Sequence, residues 1–586
     1  MSDLLFRKVD YSVGKLLEDI AMGEIGLPDI QRPFVWDGAR VRDLFDSMYR
    51  GYPIGTLLFW ENGYPGEHRA IGVGDKQKVP HLLIVDGQQR LTALYAVMKG
   101  VPIIDQDFQE RRLRIAFNPL EKRFEVTNPA IERDFSWIAD ISVLWQPGFD
   151  QYAFVSDFLE RLSERRELLP DDRKRIPEAI QRLVNLISYP LTALEISLSA
   201  GEEQVSDIFV RINSRGRTLN QADFILTLMS VFWDEGRKEL ENFARKATQV
   251  PPDNQPSPYN AYFRPAPDQL LRVAVALAFR RARLEHVYSI LRGKDLQTGQ
   301  FSAERRDEQF KLLQQAQESV LNLQHWHDFL KMLKRAGYIH PGMITSQTAL
   351  IYTYALWLIG KRDFGLDLTT LRDLAARWLF MSSLTGRYTS SPETRMDQDL
   401  AMLRSQTQPE EFIRLLEGEM TAVLTPDYWQ VTLPNDLATA SARSTGQFAY
   451  FAALCVLDAP VLYSGMKVRD LLDPTAHPKK QALERHHLFP RKYLERQGYT
   501  GSRNTNQVAN YALVEWHDNI DISDRSPAEY APEYEKLFTR AELQAMYRYH
   551  ALPERWYEMD YRSFLEERRK GIAAIVREGF YKLSGK

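Results

Sequence analysis

Cysteine is almost absent from this chain, since Cys455 stands alone among 586 residues. A single thiol cannot form an internal disulfide, and it cannot build a cysteine-based zinc finger. Cys455 lies in an apolar, helix-like stretch. We therefore expect it to be a small buried hydrophobe in a protein of a reducing compartment.

Long apolar runs are absent as well. No run reaches the roughly 20 residues that a membrane-spanning helix needs, and the mean hydropathy is −0.39. The first residues, Met1 to Lys8, lack the basic-then-apolar layout of a signal peptide. These features predict a cytoplasmic protein with no membrane partner.

The chain has little net charge, −3 from 75 basic and 78 acidic residues. This balance does not indicate a general DNA-binding protein, although a nuclease needs only local positive charge. A Walker A sequence is also absent, so an ordinary P-loop NTPase is not expected.

The rest of the composition is that of a globular protein, 44% hydrophobic and 26% charged. A chain of this length predicts about two to four domains. Residues 1–235 mix strand and helix patterns, with strands predicted at 56–60, 79–85, 113–117, 124–126 and 191–198. Residues 236–430 have the periodicity of a helical connector. Residues 431–586 form a third segment, with a helix predicted at 446–457 and a helical tail. The predicted fold class is α+β, multidomain.

Histidines and asparagines form the most informative cluster, near the C-terminal end. His486 and His487 precede Leu-Phe-Pro, and Asn506, Asn510 and Asn519 follow. This order and spacing is typical of a ββα-metal nuclease finger of the HNH type. Such a finger hydrolyses phosphodiesters with one divalent metal ion.

Each member of this cluster has a predicted role. His487 is the candidate general base, because the pKa of imidazole lies near neutrality. His486 and Asn519 are the candidate metal ligands, since a hard cation such as Mg²⁺ needs only one or two protein ligands. Asn510 is predicted either to hold the loop or to orient the His487 ring, and Asn506 is the alternate for that role.

The local charge agrees with a phosphate-binding surface. The segment from Lys480 to Asn510 contains two acidic residues, Glu484 and Glu495. It contains six basic residues: Lys480, Arg485, Arg491, Lys492, Arg496 and Arg503. Adjacent histidines, turn asparagines and charge runs are each more often structural. The prediction therefore depends on the whole constellation.

A second motif follows an apolar run in the N-terminal third. Residues 79–85 predict a buried strand, and the apolar spacing after residue 90 predicts a helix. The junction between them consists of Asp86, Gly87, Gln88, Gln89 and Arg90. A strand, a glycine turn and a helix start together form an anion site, to which Arg90 can add a bidentate fork. A purely structural turn is the alternative.

The two motifs together resemble the GmrSD family of modification-dependent (type IV) restriction enzymes. The finger is similar to the family's HNH-type nuclease half, and Asp-Gly-Gln-Gln-Arg is the hallmark of its nucleotide-using N-terminal domain. Residues 31–36 (QRPFVW) and 209–219 (FVRINSRGRTL) match two further elements of that domain in type and order.

The resemblance implies a ParB/sulfiredoxin-like N-terminal domain and a ββα-metal C-terminal domain. It implies nucleotide contacts from residues 86–90, with Arg32 and Asn213 added. His486 stands where many relatives have Asp or Glu, so Mn²⁺, Ni²⁺ or Co²⁺ can serve as well as Mg²⁺. The implied nucleotide is GTP or ATP.

The predicted function is that of an NTP-regulated, metal-dependent endonuclease of a prokaryotic anti-phage defence system. Its predicted partners are nucleotide, a second copy of the chain, and double-stranded DNA with modified cytosine or with phosphorothioate links, as in the related SspE proteins. The alternative is a non-catalytic, nucleotide-gated DNA-binding sensor or partner subunit with a degenerate finger. Three aromatic residues, Phe34, Trp36 and Tyr52, are candidates for stacking on a modified DNA base that is flipped out of the duplex.

Overall fold

The computed structural model describes residues 5–28, 34, 36–61, 68–69, 81–104, 110–197, 208, 221–252, 255–294, 302–441, 443–473, 485–515, 522 and 524–585. The chain divides into two compact units, Met1–Asp234 and Glu235–Lys586. Both contain helices, and the first is built around a sheet, so the predicted α+β class is confirmed. Among the described residues, no helix combines the length and apolar character needed to cross a membrane.

The first unit combines short strands with helices. Its strands are β1 (Phe6–Ser12), β2 (Ile25–Pro28), β3 (Leu57–Glu61), β4 (His68–Arg69), β5 (Leu82–Asp86), β6 (Ile103–Ile104), β7 (Glu110–Arg111), β8 (Ile115–Asn118), β9 (Arg123–Val126) and β10 (Pro190–Ile196). Its helices are α1 (Val13–Met22), α2 (Gly38–Arg50), α3 (Gln88–Lys99), α4 (Gln151–Ser163), α5 (Pro170–Val184) and α6 (Gln221–Phe232).

The main sheet has the strand order β1-β10-β3-β5-β2-β4. β5 pairs antiparallel with β3 and parallel with β2, and β10 pairs parallel with β3. The carboxyl end of β5 therefore meets the amino ends of β3 and β10. We call this side of the sheet, marked by Asp86, Leu57 and Pro190, the Asp86 edge.

The core of the first unit lies between one face of the sheet and its helices. Leu82 and Ile84 of β5 point into this core, whereas Leu83 and Val85 join a smaller apolar cluster on the opposite face. Leu91–Met98 of α3 are all buried, so α3 is a central helix. Asp37 caps α2 by accepting a hydrogen bond from the Arg40 N–H, as its position before an amphipathic helix predicts.

The second unit is mainly helical. Its helices are α7 (Asp234–Thr248), α8 (Pro267–Phe279), α9 (Leu284–Leu291), α10 (Ala303–Val320), α11 (Leu323–Arg335), α12 (Gln347–Arg362), α13 (Leu368–Leu384), α14 (Pro392–Leu403), α15 (Pro409–Val423), α16 (Leu433–Asp436), α17 (Thr445–Val456), α18 (Val468–Leu472), α19 (Arg491–Arg496), α20 (Ser502–Thr505), α21 (Pro527–Glu535), α22 (Arg540–Tyr549) and α23 (Tyr561–Lys582). A π-helical turn, Tyr428–Thr432, precedes α16, and two short strands, β11 (Arg485–His487) and β12 (Tyr511–Leu513), form a separate ribbon.

The long last helix, α23, packs closely against α17. A Cβ atom added to Gly579 would lie 2.6 Å from the Cβ of Ala453, so only glycine permits this approach. Cys455 of α17 is buried, as predicted, and burial raises the pKa of its thiol to about 12.

Several sequence predictions are confirmed at the level of elements. The predicted strands at 56–60, 79–85, 113–117, 124–126 and 191–198 correspond to β3, β5, β8, β9 and β10 within a few residues, and the predicted helix 446–457 corresponds to α17. Strand β1 was not predicted. The division of residues 236–586 into a connector and a nuclease domain stays a prediction, since both parts belong to the second unit.

Candidate functional site

The β5–α3 junction places the Asp86–Arg90 motif at the Asp86 edge. Asp86 ends β5, Gly87 follows with φ 93°, and α3 begins at Gln88. A Cβ atom at Gly87 would lie 2.4 Å from Leu57 Cδ2, so this turn requires glycine. The first-turn N–H groups of a helix point outward past its N-terminal end. The junction therefore has the backbone geometry of an anion site.

Arg90 makes contacts that its expected role as a phosphate fork did not include. Its Nη1 donates to the Ile54 carbonyl at 2.7 Å, and its Nη2 donates to the Thr56 carbonyl at 2.8 Å. Nη2 also lies 3.6 Å from Asp86 Oδ2. Burial lowers the pKa of Arg90, and the nearby Asp86 carboxylate opposes that shift. In this structure Arg90 ties the motif to the loop before β3.

Glycine makes room for this guanidinium on the loop side as well. Gly55 has φ 91°, and a Cβ atom there would lie 2.6 Å from Arg90 Nη1. At the other end of the loop, the Tyr189 hydroxyl donates to the Tyr52 carbonyl at 2.5 Å. The loop from Gly51 to Thr56 is thus fixed at the same sheet edge as the motif.

Of the four remaining predicted members of this site, two lie within the described residues and two lie outside them. Gln88 and Gln89 form the first turn of α3 together with Arg90. Arg32 and Asn213, with the two sequence elements that contain them, lie outside the described residues.

The finger motif begins on a strand of the second unit. Strands β11 and β12 pair antiparallel, which sets His486 opposite Ala512 and His487 opposite Tyr511. Successive side chains of a strand point to opposite faces. The two histidine side chains therefore lie in different surroundings. His486 is buried, whereas His487 is half-buried.

His487 contacts Asn506 rather than Asn510. Its Nε2 lies 3.0 Å from Asn506 Oδ1, and its ring stacks at a tilt on Tyr511 with centroids 4.6 Å apart. Because an amide oxygen only accepts, the contact places the proton on Nε2 and makes Nδ1 the basic nitrogen of the ring. The alternate candidate Asn506 is thus the residue that orients the ring.

Asn510 makes the contacts of its other predicted role, holding the loop. It is fully buried, and its Oδ1 accepts from the Phe489 N–H at 2.8 Å. Its Nδ2 donates to the carbonyls of Phe489 and Thr505 at 3.0 and 3.1 Å. All three bonds go to backbone, so Asn510 joins the segment after His487 to the segment before β12.

His486 lies in the interior of the second unit. Its residue exposure is 3%, and its ring meets Tyr530 edge-on at 6.1 Å. The Tyr530 hydroxyl donates to the Leu488 carbonyl at 2.6 Å. Tyr530 thus fixes the histidine segment from α21, although no local sequence pattern linked it to the finger.

The last helix, α23, also supports the finger. The Arg568 guanidinium is fully buried, and its Nη1 donates to the Ala509 carbonyl at 2.6 Å while its Nε donates to the His550 carbonyl at 3.0 Å. Burial lowers the pKa of Arg568. Its place in a basic stretch of the tail gave no indication of a buried role beside Asn510.

The metal prediction is only partly covered by the described residues. Asn519 lies outside them. Within the described part, no group of three or more His, Cys, Asp and Glu side chains could hold a metal ion. A metal held by one or two protein ligands does not need such a group. The prediction for His486 and Asn519 therefore stays a prediction.

Comparison with known proteins supports the family predicted from the N-terminal motif. Residues 13–230 match the family described as GmrSD restriction endonuclease, N-terminal domain. The match spans the Asp86–Arg90 motif, the 31–36 element and the 209–219 element. The N-terminal region is therefore similar to this restriction-enzyme domain.

A relative extends the similarity over most of the chain. An uncharacterized protein of Methanocaldococcus jannaschii is 23% identical over 562 residues, which cover 87% of this chain and 84% of the relative. Both units therefore have counterparts in one other chain.

Proposed function

We propose that this protein is an NTP-regulated, divalent-metal-dependent DNA endonuclease of a prokaryotic anti-phage defence system, and that it cleaves modified DNA. The observation that carries the proposal is the match of residues 13–230 to the GmrSD N-terminal domain. The His487–Asn506 pair in the second unit supports it, because it offers an oriented imidazole for phosphodiester hydrolysis.

In the proposed reaction His487 is the general base. Its Nδ1 takes a proton from the attacking water, while Nε2–H stays bonded to Asn506 Oδ1. That hydrogen bond restricts rotation of the ring, and so does its packing on Tyr511. Asn510 is a positioning residue, since it fixes the segments on both sides of the ribbon rather than meeting the substrate.

A divalent cation bound at the finger would neutralise the charge that builds on the leaving oxygen. His486 and Asn519 are the proposed ligands. The residue exposure of His486, 3%, leaves little open surface for a hydrated ion on the described side. The donor types fit Mn²⁺, Ni²⁺ or Co²⁺ as well as Mg²⁺.

We place nucleotide control at the Asp86–Arg90 junction. The start of α3 would receive phosphate oxygens through its backbone N–H groups. Arg90 would transmit occupancy of this site to the loop before β3, because it donates to Ile54 and Thr56. Nucleotide dependence that is the same in Arg90→Lys as in the wild type would count against this control.

A cleavage assay on three matched DNAs tests the proposal. The DNAs are unmodified, glucosylated at hydroxymethylcytosine, or phosphorothioate-linked, each with Mg²⁺ or Mn²⁺ and with or without GTP or ATP. We expect one modified DNA to be cut and His487→Ala to abolish cutting. His286→Ala, an exposed histidine of α9, is the matched control and should cut normally.

Two other results would change the conclusion. Cutting of all three DNAs alike would leave a nuclease without modification sensing. No cutting under any condition would support a second candidate, a non-catalytic nucleotide-gated DNA-binding subunit.

The burial of His486 is the observation that favours this second candidate, because a structural histidine is buried in the same way. Metal titration by calorimetry of the wild type and His486→Ala separates the two. Binding that the substitution removes supports the nuclease, and absence of binding in both supports the subunit.

A further inference from the structure

The loop Gly51–Thr56 is exposed along most of its length, yet its backbone is fixed. Only Ile54 is half-buried, and the other residues are exposed. Three of its carbonyls nevertheless accept hydrogen bonds from side chains of distant segments. Tyr189 donates to residue 52, and Arg90 donates to residues 54 and 56.

Two glycines in left-handed conformation frame this loop. Gly51 has φ 78° and ends α2, and Gly55 has φ 91° where a Cβ atom would meet Arg90. An exposed loop whose carbonyls are bound by a half-buried guanidinium has little conformational entropy left to lose when a ligand binds. Such pre-organisation favours a binding role.

Tyr52 is the aromatic side chain that this loop presents. Its residue exposure is 57%. Of the other two stacking candidates, Phe34 is 4% exposed and belongs to the core, and Trp36 is half-buried against the same core. Among these three aromatics, only Tyr52 offers an open ring.

The loop and the α3 start lie together at the Asp86 edge. Tyr52 is two residues from Ile54, a span of at most about 7 Å. The Ile54 carbonyl lies 2.7 Å from Nη1 of Arg90, which belongs to the first turn of α3. A nucleotide with its phosphates at the helix start would extend its sugar and base beyond them, towards a neighbouring segment.

We propose that Tyr52 stacks on the base of the nucleotide whose phosphates bind at the start of α3. This inference rests on the proposed nucleotide control and identifies the part of the site that recognises the base. Aromatic stacking accepts every base, because each base has a π-face. Tyr52 therefore adds affinity for both GTP and ATP and does not choose between them.

Calorimetric titration of the full chain with GTP, ATP and inorganic tripolyphosphate tests the proposal. For Tyr52→Ala we expect the affinity for GTP and ATP to fall about tenfold, the typical effect of losing one stacked base. The affinity for tripolyphosphate should not change, because this probe has no base. Tyr52→Phe and Tyr52→Trp should bind nucleotide as the wild type does.

Tyr152→Ala is the matched control, since Tyr152 is 86% exposed on α4 and makes no part of the Asp86 edge. It should leave all three affinities unchanged. Unchanged nucleotide affinity in Tyr52→Ala would overturn the proposal. An equal loss for nucleotide and tripolyphosphate would also overturn it, because that result indicates a collapsed loop rather than a lost stack.

The wild-type titration separates this inference from the proposed function. If the wild type binds tripolyphosphate and both nucleotides, nucleotide control stands and the Tyr52 variants decide the inference. If the wild type binds none of the three, nucleotide control fails, and the role of Tyr52 fails with it.

Discussion

At the scale of single residues, the two asparagines of the finger have different tasks. Asn510 makes three hydrogen bonds to buried backbone and none to a histidine ring. Asn506 is half-buried and contacts His487. One asparagine therefore contributes mainly to stability, and the other to the orientation of the proposed base.

Asn510→Ala should lower the free energy of unfolding by about 1–3 kcal/mol, because it removes three hydrogen bonds from buried backbone groups of Phe489 and Thr505. Asn506→Ala should cost about 1 kcal/mol or less and should reduce DNA cleavage more than stability. Urea unfolding and the cleavage assay measure the two effects. Equal destabilisation by both variants would contradict this assignment.

His550 gives the second unit a defined dependence on pH. It is fully buried, its Nε2 bonds the Pro460 carbonyl at 3.0 Å, and burial lowers its pKa from 6.5 to about 4. Since the folded pKa lies below the unfolded one, the unfolded chain binds the extra proton between these values. Stability is thus lost as the pH falls through that window, and this loss levels off below it.

We expect His550 to contribute a slope of about 1.4 kcal/mol per pH unit inside this window. Urea unfolding of the wild type and His550→Gln at pH 7, 5.5 and 4.5 measures it. The variant should be less stable at pH 7, and the difference should shrink as the pH falls. A difference that is constant with pH would refute the role of His550.

At the scale of elements, α23 holds the segments beside the β11–β12 ribbon in place. Near its start the Tyr561 hydroxyl donates to the Asn504 carbonyl, and two turns later Arg568 donates to the Ala509 carbonyl. Its last turns pack on α17 through Gly579. The ribbon of two three-residue strands thus depends on a helix that follows it by about fifty residues.

Gly579→Ala should destabilise the second unit by about 1–3 kcal/mol, because the new methyl group overpacks a helix contact. Its Cβ would lie 2.6 Å from Ala453 Cβ and 2.8 Å from Ala453 Cα. Gly418→Ala in α15 is the matched control, since nothing lies within 4 Å of its added Cβ. It should raise stability by roughly 0.5–1 kcal/mol. Thermal unfolding distinguishes the two, and a neutral Gly579→Ala would contradict the close packing.

Local patterns predicted the elements better than the contacts between them. The strand, glycine turn and helix at Asp86–Arg90 follow from periodicity and from the conformational freedom of Gly87. The partners of Arg90, by contrast, lie 34 and 36 residues away. Arg568 reaches a carbonyl 59 residues away. Such partners are set by tertiary packing, which no local spacing encodes.

At the scale of the whole molecule, the chain consists of two compact units. We expect two unfolding transitions in calorimetry, because distinct compact units need not melt together. The fragments Met1–Asp234 and Glu235–Lys586 should each fold and reproduce one transition of the full chain. A single transition, with neither fragment folded, would contradict this division.

The same division assigns the two proposed activities to different fragments. Nucleotide binding should remain with Met1–Asp234, which contains the Asp86 edge, and metal binding with Glu235–Lys586, which contains the β11–β12 ribbon. Regulation of one by the other requires the full chain.

The lone buried thiol also makes the protein a convenient host for site-specific probes. Because Cys455 is enclosed and its pKa is about 12, it carries almost no reactive thiolate at neutral pH. A cysteine introduced at an exposed position such as Tyr152 would therefore take up a maleimide dye selectively, in an otherwise native background. One such dye on each unit would convert nucleotide-dependent rearrangement into an optical signal.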